Sequence, residues 1–357
     1  MQVIAMNKAN GNGEVNCKES NDLDGNNTIE QVEAMFWREV QGQVLQCLLC
    51  PHYCVINEGG TGKCVVRSNR RGVLSPDNYG RIVSIALDPI EKKPLRMFHK
   101  GSKILSMGSF GCNMKCPFCQ NYGISMEYRD KIGKSKRLTP VELVSLVKEI
   151  AMEEASAQKN APTMEGTSTQ KNASAMEEKL INNYQEADWH RGRNIGVAYT
   201  YNEPLVGYEF VFHCAKQIHE IGLKNVLITN GMINPEPFKA LLPYIDAMNI
   251  DLKSFSKGYY KRLDGDLEAV KRIIEMAAKE IHLEITTLII PGENDSEEEM
   301  SKLASWLGAI NPDIPLHISR FFPTYKYSDK FPTPLDSIYK LEKEAKKYLN
   351  YVFLGNV

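Results

Sequence analysis

Nowhere in this chain of 357 residues is there an apolar run long enough to cross a bilayer. The first residues, MQVIAMNKANGNGEVN, lack the basic start and apolar core of a signal peptide. No membrane segment is expected, and the cytoplasm is the expected compartment. Excess charge is lacking too: 43 Lys and Arg stand against 44 Asp and Glu, a formal net charge of −1. That balance gives no general field for nucleic acid or anionic lipid. The densest basic stretch, RDKIGKSKR (129–137), reads as a solvated loop. An evenly spread disulfide framework is also missing. The nine cysteines are odd in number. Seven fall in two tight groups, a pattern that in a large chain of this kind points to metal binding or chemistry. Cys17, in a polar tail, and Cys214, in an apolar helical stretch, read as bystanders.

What is present divides into three parts. Residues 1–30 are rich in Asn, Gly, Asp and Glu and are expected to be disordered. Residues 31–100 carry cysteine-rich turns followed by the strand-like GRIVSIAL (80–87), which suits a small metal-knit subdomain with little core of its own. Over 101–357, apolar strand runs alternate with amphipathic helices. The expected strands are 103–109, 195–201, 225–229, 247–252, 283–290 and 316–322, and the expected helices 141–150, 206–221, 267–281 and 298–310. Thr139 suits the cap of the first helix and Pro140 its first position. Strands buried on both faces and alternating with helices predict an α/β fold, a partial (β/α) barrel of about six parallel strands. Residues 151–187 interrupt this rhythm with an imperfect duplication, QKNAPTME (158–165) and QKNASAME (170–177). They are expected to form a solvated, low-complexity insertion.

Cys112, Cys116 and Cys119 fall within GSFGCNMKCPFCQN (108–121), directly after the first expected barrel strand. Parallel α/β sheets build active sites at that end of their strands. Three thiolates can hold three irons of a [4Fe–4S] cube and leave the fourth open, and an open position marks a reactive metal site. Gly111 lets the chain leave the strand, and Pro117 stiffens the loop between the last two cysteines. A zinc knuckle borrowing a distant ligand is the bland alternative. The second group, Cys47, Cys50, Cys54 and Cys64, offers four thiols. Four can close a structural zinc site or hold an auxiliary iron–sulfur cluster, and the spacing leaves both open.

C-x3-C-x-aromatic-C, with Phe118 as the aromatic, resembles the signature of radical S-adenosylmethionine (SAM) enzymes. The resemblance extends through CLLCPHYCVINEGGTGKCVVR (47–67), DPIEKKPL (88–95), AYTYNEP (198–204) and SRFFPTYK (319–326) to the radical SAM member of the AmmeMemoRadiSam system, a group similar to pyruvate formate-lyase activating enzymes. It implies that SAM chelates the open iron and is reductively cleaved to a 5′-deoxyadenosyl radical that takes hydrogen from a substrate. It further implies an electron donor such as flavodoxin or ferredoxin, and Memo-like and AMMECR-type partners. At the strand ends, Asn202 and Glu203 would face the methionyl amine, where the family usually has a Gly-Gly-Glu-Pro turn. Thr229 and Asn230 would bond the polar groups of SAM. Asp251 and Lys253 share a face by period two, with Lys253 at the SAM carboxylate, and His317 would lie against SAM. Ile228 stands where the activating enzymes carry an acid for a monovalent cation. Arg320 and Lys326 are candidates for an anionic substrate. A glycyl-radical activase and a non-catalytic metal-knit binding protein are the rival readings.

Overall fold

The computed structural model describes residues 3–9, 15–20, 32–128, 132–133, 135–159 and 192–357. Its centre is one eight-stranded sheet in which spatial order follows chain order. The strands are β1 (Ser84–Pro89), β2 (Lys103–Gly108), β3 (Asn194–Tyr199), β4 (Lys224–Thr229), β5 (Ala247–Asp251), β6 (His282–Ile289), β7 (Leu316–Arg320) and β8 (Val352–Gly355). β2 to β8 run parallel and β1 pairs antiparallel with β2. β1 and β8 form opposite edges, so the sheet is an open, partial barrel, extended beyond the six expected parallel strands by β8.

The helices between the strands are α1 (Pro140–Lys159), α2 (Tyr208–Glu220), α3 (Pro235–Leu241), α4 (Lys257–Arg262), α5 (Leu267–Glu280), α6 (Glu297–Ile310) and α7 (Leu335–Ala345). α1 opens as the sequence suggests. Thr139 Oγ1 accepts from Glu142 N at 3.2 Å, while Glu142 Oε2 accepts from Thr139 N at 2.7 Å. This reciprocal capping box satisfies two otherwise orphaned donors. α1 runs to Lys159, nine residues into the expected insertion; residues 160–191 lie outside the described residues. Among the described residues no helix is long and apolar enough to cross a membrane.

Strand period two divides the barrel core. Leu105, Val197, Leu227, Met248 and Ile285 point outward into the core shared with the helices. Ile104, Ala198, Val226 and Ala247 point inward, where Ile90 and Leu95 from the β1–β2 connection pack against them. That connection joins the end of β1 to the start of β2, so it plugs the N-terminal end of the barrel and leaves the C-terminal end to the loops.

Two regions depart from the sequence reading. Within the expected disordered tail, Val3–Ala9 and Val15–Ser20 pair as an antiparallel ladder. The first opens with the apolar run Val3–Met6, and NGNG lies between the two in sequence. The second departure concerns the cysteine-rich subdomain. The expected strand over 80–87 overlaps β1 (Ser84–Pro89), which is the barrel's edge strand instead. Its core is not separate either: Ala34, Trp37, Leu45, Leu49, Ile56 and Leu74 pack into the same core as the barrel. A buried ion pair pins it to α2. Arg67 donates to Glu209 at 2.9 and 3.1 Å, and Met35 N donates to Glu209 Oε1 at 2.7 Å. Their side chains are 1% and 0% exposed. Burial disfavours the guanidinium charge, but Glu209 outweighs it and holds the Arg67 pKa above its ordinary value.

Candidate cluster and cofactor site

The loop after β2 carries Cys112, Cys116 and Cys119, and loops from four other strands converge on it. Gly111 has φ +91°. A Cβ there would stand 2.6 Å from Val66 Cγ1 and 2.9 Å from the Cys64 carbonyl oxygen, so only glycine lets the loop pass this close to the cysteine-rich subdomain. Cys112 Sγ faces two donors, Met114 N at 3.4 Å and Asn230 Nδ2 at 3.7 Å. Burial pushes the Cys116 thiol up to about 12 and the Cys112 thiol well above its ordinary value. Without a cation to share, such thiols stay protonated.

From the turn after β3, Asn202 spends its whole amide on this loop and its own turn. Oδ1 accepts from Ser109 N at 3.0 Å, and Nδ2 donates to the Gly111 and Glu203 carbonyls at 3.0 and 3.1 Å. Asn202 therefore braces the cluster loop with both ends of its amide. Glu203 is buried and accepts from Leu205 N (3.0 Å), Thr229 Oγ1 (2.7 Å) and Asn230 N (2.8 Å). Burial raises its carboxyl to about 7 despite those donors.

The turn after β4 closes the other side. Thr229 gives its hydroxyl proton to Glu203 and accepts from Gly231 N, so its side chain shapes the turn. Asn230 Nδ2 donates to Asn113 Oδ1 at 2.9 Å, and Asn113 Nδ2 donates to the Met232 carbonyl at 2.7 Å. Thus β3 and β4 grip the cluster loop through asparagine side chains. After β5, Lys253 and Asp251 pair at 2.8 Å, and Lys253 N donates to the Tyr260 hydroxyl oxygen at 3.0 Å. Burial would lower the Lys253 pKa; Asp251 outweighs it, so the ammonium persists. Burial raises the Cys116 thiol and the Lys253 ammonium partly offsets it, so this charge lies near the cluster loop.

Phe118 is buried and packs against Tyr259 (ring centroids 6.4 Å apart) and Tyr327 (6.0 Å). It anchors the loop to α4 and to the chain after β7. The SRFFPTYK segment completes that wall: Lys326 N donates to the Pro117 carbonyl at 3.0 Å, and Tyr325 stacks on Tyr122 at 4.5 Å. Arg320 instead donates to the Thr333 carbonyl at 2.7 Å.

His317 lies deeper in the barrel. It is the second residue of β7, and its Nε2 lies 2.5 Å from Glu284 Oε2 while its ring stacks on Phe353. Glu284 also accepts from Arg96 N, Met97 N and His282, tying the pair to the barrel's plugged end. The histidine is held by this partner, not by the cluster loop. Burial would raise the Glu284 carboxyl, but these four donors bring it down to about 2.

Sequence reading missed several residues here. Lys93 is buried and pairs with Asp88 at 2.7 Å, and Tyr201 donates to the same carboxylate at 3.1 Å. Two quoted motifs, DPIEKKPL and YNEP, therefore meet inside the barrel. Tyr201 has φ +72°, and a Cβ on Gly108 would stand 2.9 Å from its side chain. The buried Lys in DPIEKKPL was the available signal. Asn113 was hidden as an ordinary polar residue between cysteines.

Among the described residues no three His, Cys, Asp or Glu side chains already form a shell for a single ion. The fit to a metal therefore rests on donor chemistry. For the cluster loop that fit is good: three thiols on one short loop, with donors aimed at sulfur.

The Radical SAM superfamily profile matches residues 107–304, more than half of the chain. An uncharacterized protein of Methanocaldococcus jannaschii is 35% identical over 91% of this chain and 85% of its own length. The 4-hydroxyphenylacetate decarboxylase activating enzyme of Clostridioides difficile (strain 630) is 27% identical over 38% of this chain and 48% of that enzyme. Among solved structures, a radical SAM methyltransferase from Sphaerobacter thermophilus is 13% identical, with a TM-score of 0.46 over 71% of this chain and 66% of that one. The chain belongs to the radical SAM superfamily. Membership implies a [4Fe–4S] cluster and SAM binding.

Proposed function

We propose that this chain is a radical SAM enzyme whose [4Fe–4S] cluster is held by Cys112, Cys116 and Cys119. When bound, the cluster supplies the electron that cleaves SAM to a 5′-deoxyadenosyl radical, which abstracts hydrogen from the substrate. The protein's own contribution is orientation. Asn202 and Asn230 fix the cluster loop from two strand ends. Glu203 provides a buried carboxyl for the methionyl amine, and Lys253 an ammonium for the carboxylate. Phe118 and its tyrosine neighbours exclude water from the loop's far side.

The observation that carries this reading is the convergence of the turns after β3 and β4 on the three-cysteine loop. Its test is anaerobic reduction of reconstituted protein with SAM, followed by assay for 5′-deoxyadenosine. Formation of 5′-deoxyadenosine at a rate above a cluster-free control is expected. No product from fully loaded, reduced protein would overturn the reading.

A second reading, activation of a glycyl-radical partner enzyme, is favoured by the likeness to the C. difficile activating enzyme. It would appear as a SAM-dependent glycyl radical on a partner protein. A flavodoxin- or ferredoxin-type electron donor and Memo-like and AMMECR-type partners belong to the proposal through the motifs quoted above. A binding protein without catalysis would have no need of buried Glu203 and Lys253 beside a three-thiol loop.

A further inference from the structure

The four cysteines of the N-terminal subdomain come together in space. Cys47, Cys50, Cys54 and Cys64 line one small enclosed cavity with Arg67 and Asn113. Lys63 N donates to Cys54 Sγ at 3.4 Å, the kind of N–H···S contact that surrounds metal-bound thiolates. Arg67 places a positive charge on the same cavity. Its two terminal nitrogens are satisfied by Glu209 and by the Met35 carbonyl, but its Nε is buried with no acceptor among the described residues. A buried N–H of a cation without an acceptor is costly. Four thiolates around a thiophilic dication leave net negative charge, which suits a cavity that Arg67 also lines.

The same pocket abuts the cluster loop. His52, between Cys50 and Cys54, donates through Nε2 to the Asn113 carbonyl at 2.7 Å, next to Cys112. Gly111 lies against Cys64 and Val66 with no room for a Cβ. Lys115 Nζ donates to the Lys63 carbonyl at 3.3 Å. The two cysteine groups, separate in sequence, are thus packed against one another.

We propose that Cys47, Cys50, Cys54 and Cys64 hold a thiolate-bound metal centre, one zinc ion or one iron–sulfur cube, and that this centre braces the cluster loop through His52 and Gly111. His52 is a positioning residue here, acting on the loop through the Asn113 carbonyl. The proposal concerns metal loading, so it stands or falls apart from SAM cleavage.

Metal and sulfide analysis of anaerobically prepared full-length protein tests it in three arms. In the variant Cys112→Ala/Cys116→Ala/Cys119→Ala, the only centre left is the four-thiol one. One zinc per chain, or about four irons with matching sulfide, is expected and distinguishes the two sources. A folded triple variant without stoichiometric metal overturns the site. In Cys50→Ser/Cys54→Ser, loss of that centre together with reduced iron on the cluster loop is expected. Full cluster-loop iron in this variant overturns the brace. His52→Ala keeps all seven thiols and guards against a misfolded cysteine variant. It should retain the four-thiol metal while the cluster loop loses iron to a chelator roughly tenfold faster, the scale on which partners of metal ligands act. Unchanged iron loss in His52→Ala likewise overturns the brace.

Discussion

Glu209→Gln is close to isosteric, yet it strips the charge from a carboxylate whose partner is the buried guanidinium of Arg67. Three donors converge on this group: Arg67 at 2.9 and 3.1 Å and Met35 N at 2.7 Å. Glutamine keeps one oxygen acceptor but directs an NH2 at donors, and it leaves a cation that is 1% exposed without its counter-ion. Breaking one side of a buried pair costs about 3–5 kcal/mol. For a chain of this size that corresponds to a fall in Tm of roughly 5–10 °C. The assay is thermal unfolding by circular dichroism at one scan rate, with wild type and variant metal-stripped alike so that metal loading does not enter. The double variant Arg67→Met/Glu209→Leu should recover much of the loss, because replacing both charges removes the uncompensated one. Recovery would be partial, since the Met35 carbonyl loses its donor. A Glu209→Gln protein within about 1 °C of wild type would refute the reasoning that this pair clamps the subdomain onto α2.

Glu284→Gln should remove a pH-dependent term. The folded carboxyl is depressed to about 2. Its stabilisation is therefore complete above the ordinary glutamate range and is lost as pH falls through about 4 toward 2. That shift is worth about 3 kcal/mol at neutral pH, so acid denaturation followed by fluorescence should show a less stable neutral state and a flatter acid limb in the variant. An acid limb as steep as wild type would contradict it. Gly111→Ala combines a strained φ of +91° with a Cβ 2.6 Å from Val66 Cγ1. Reconstituted iron per chain should drop well below wild type in colorimetric analysis, and full loading would count against the packing described. Replacing residues 160–187 with a short Gly/Ser linker should leave 5′-deoxyadenosine formation unchanged in chromatographic assay, because the duplicated segment is polar. Loss of activity in a soluble, iron-loaded deletion would place part of the site there.

The barrel was legible because its strands are buried on both faces and so read as continuous apolar runs. β3 is buried at every position, and the expected 195–201 lies within two residues of it. β8 is only four residues long, too short for a period to show. α7 buries Ile338, Leu341 and Ala345 at helical spacing, a stripe the sequence reading passed over. In the site, residue types were readable while their partners were not. Asn202 and Asn230 stood out at the strand ends, but their amide bonds to Ser109, Gly111, Asn113 and Cys112 join segments about 90 to 120 residues apart in the chain. No local pattern carries that information. His317 was named from the resemblance to the activating enzymes; its hydrogen bond to Glu284, 33 positions away, could not be read from local sequence. Arg67 and Glu209 escaped for the same reason, although a glutamate inside the apolar VGYEFVFHCA was a cue to a buried partner.

The central claim is that Cys112, Cys116 and Cys119 hold a cluster with an open position that takes SAM. The most direct measurement is the electron paramagnetic resonance spectrum of the anaerobically reduced full-length protein, recorded with and without SAM. Addition of SAM is expected to change the spectrum, and a Cys116→Ala substitution to abolish that change. A reduced [4Fe–4S] spectrum that SAM leaves untouched, or a SAM-dependent change that survives Cys116→Ala, would contradict the account.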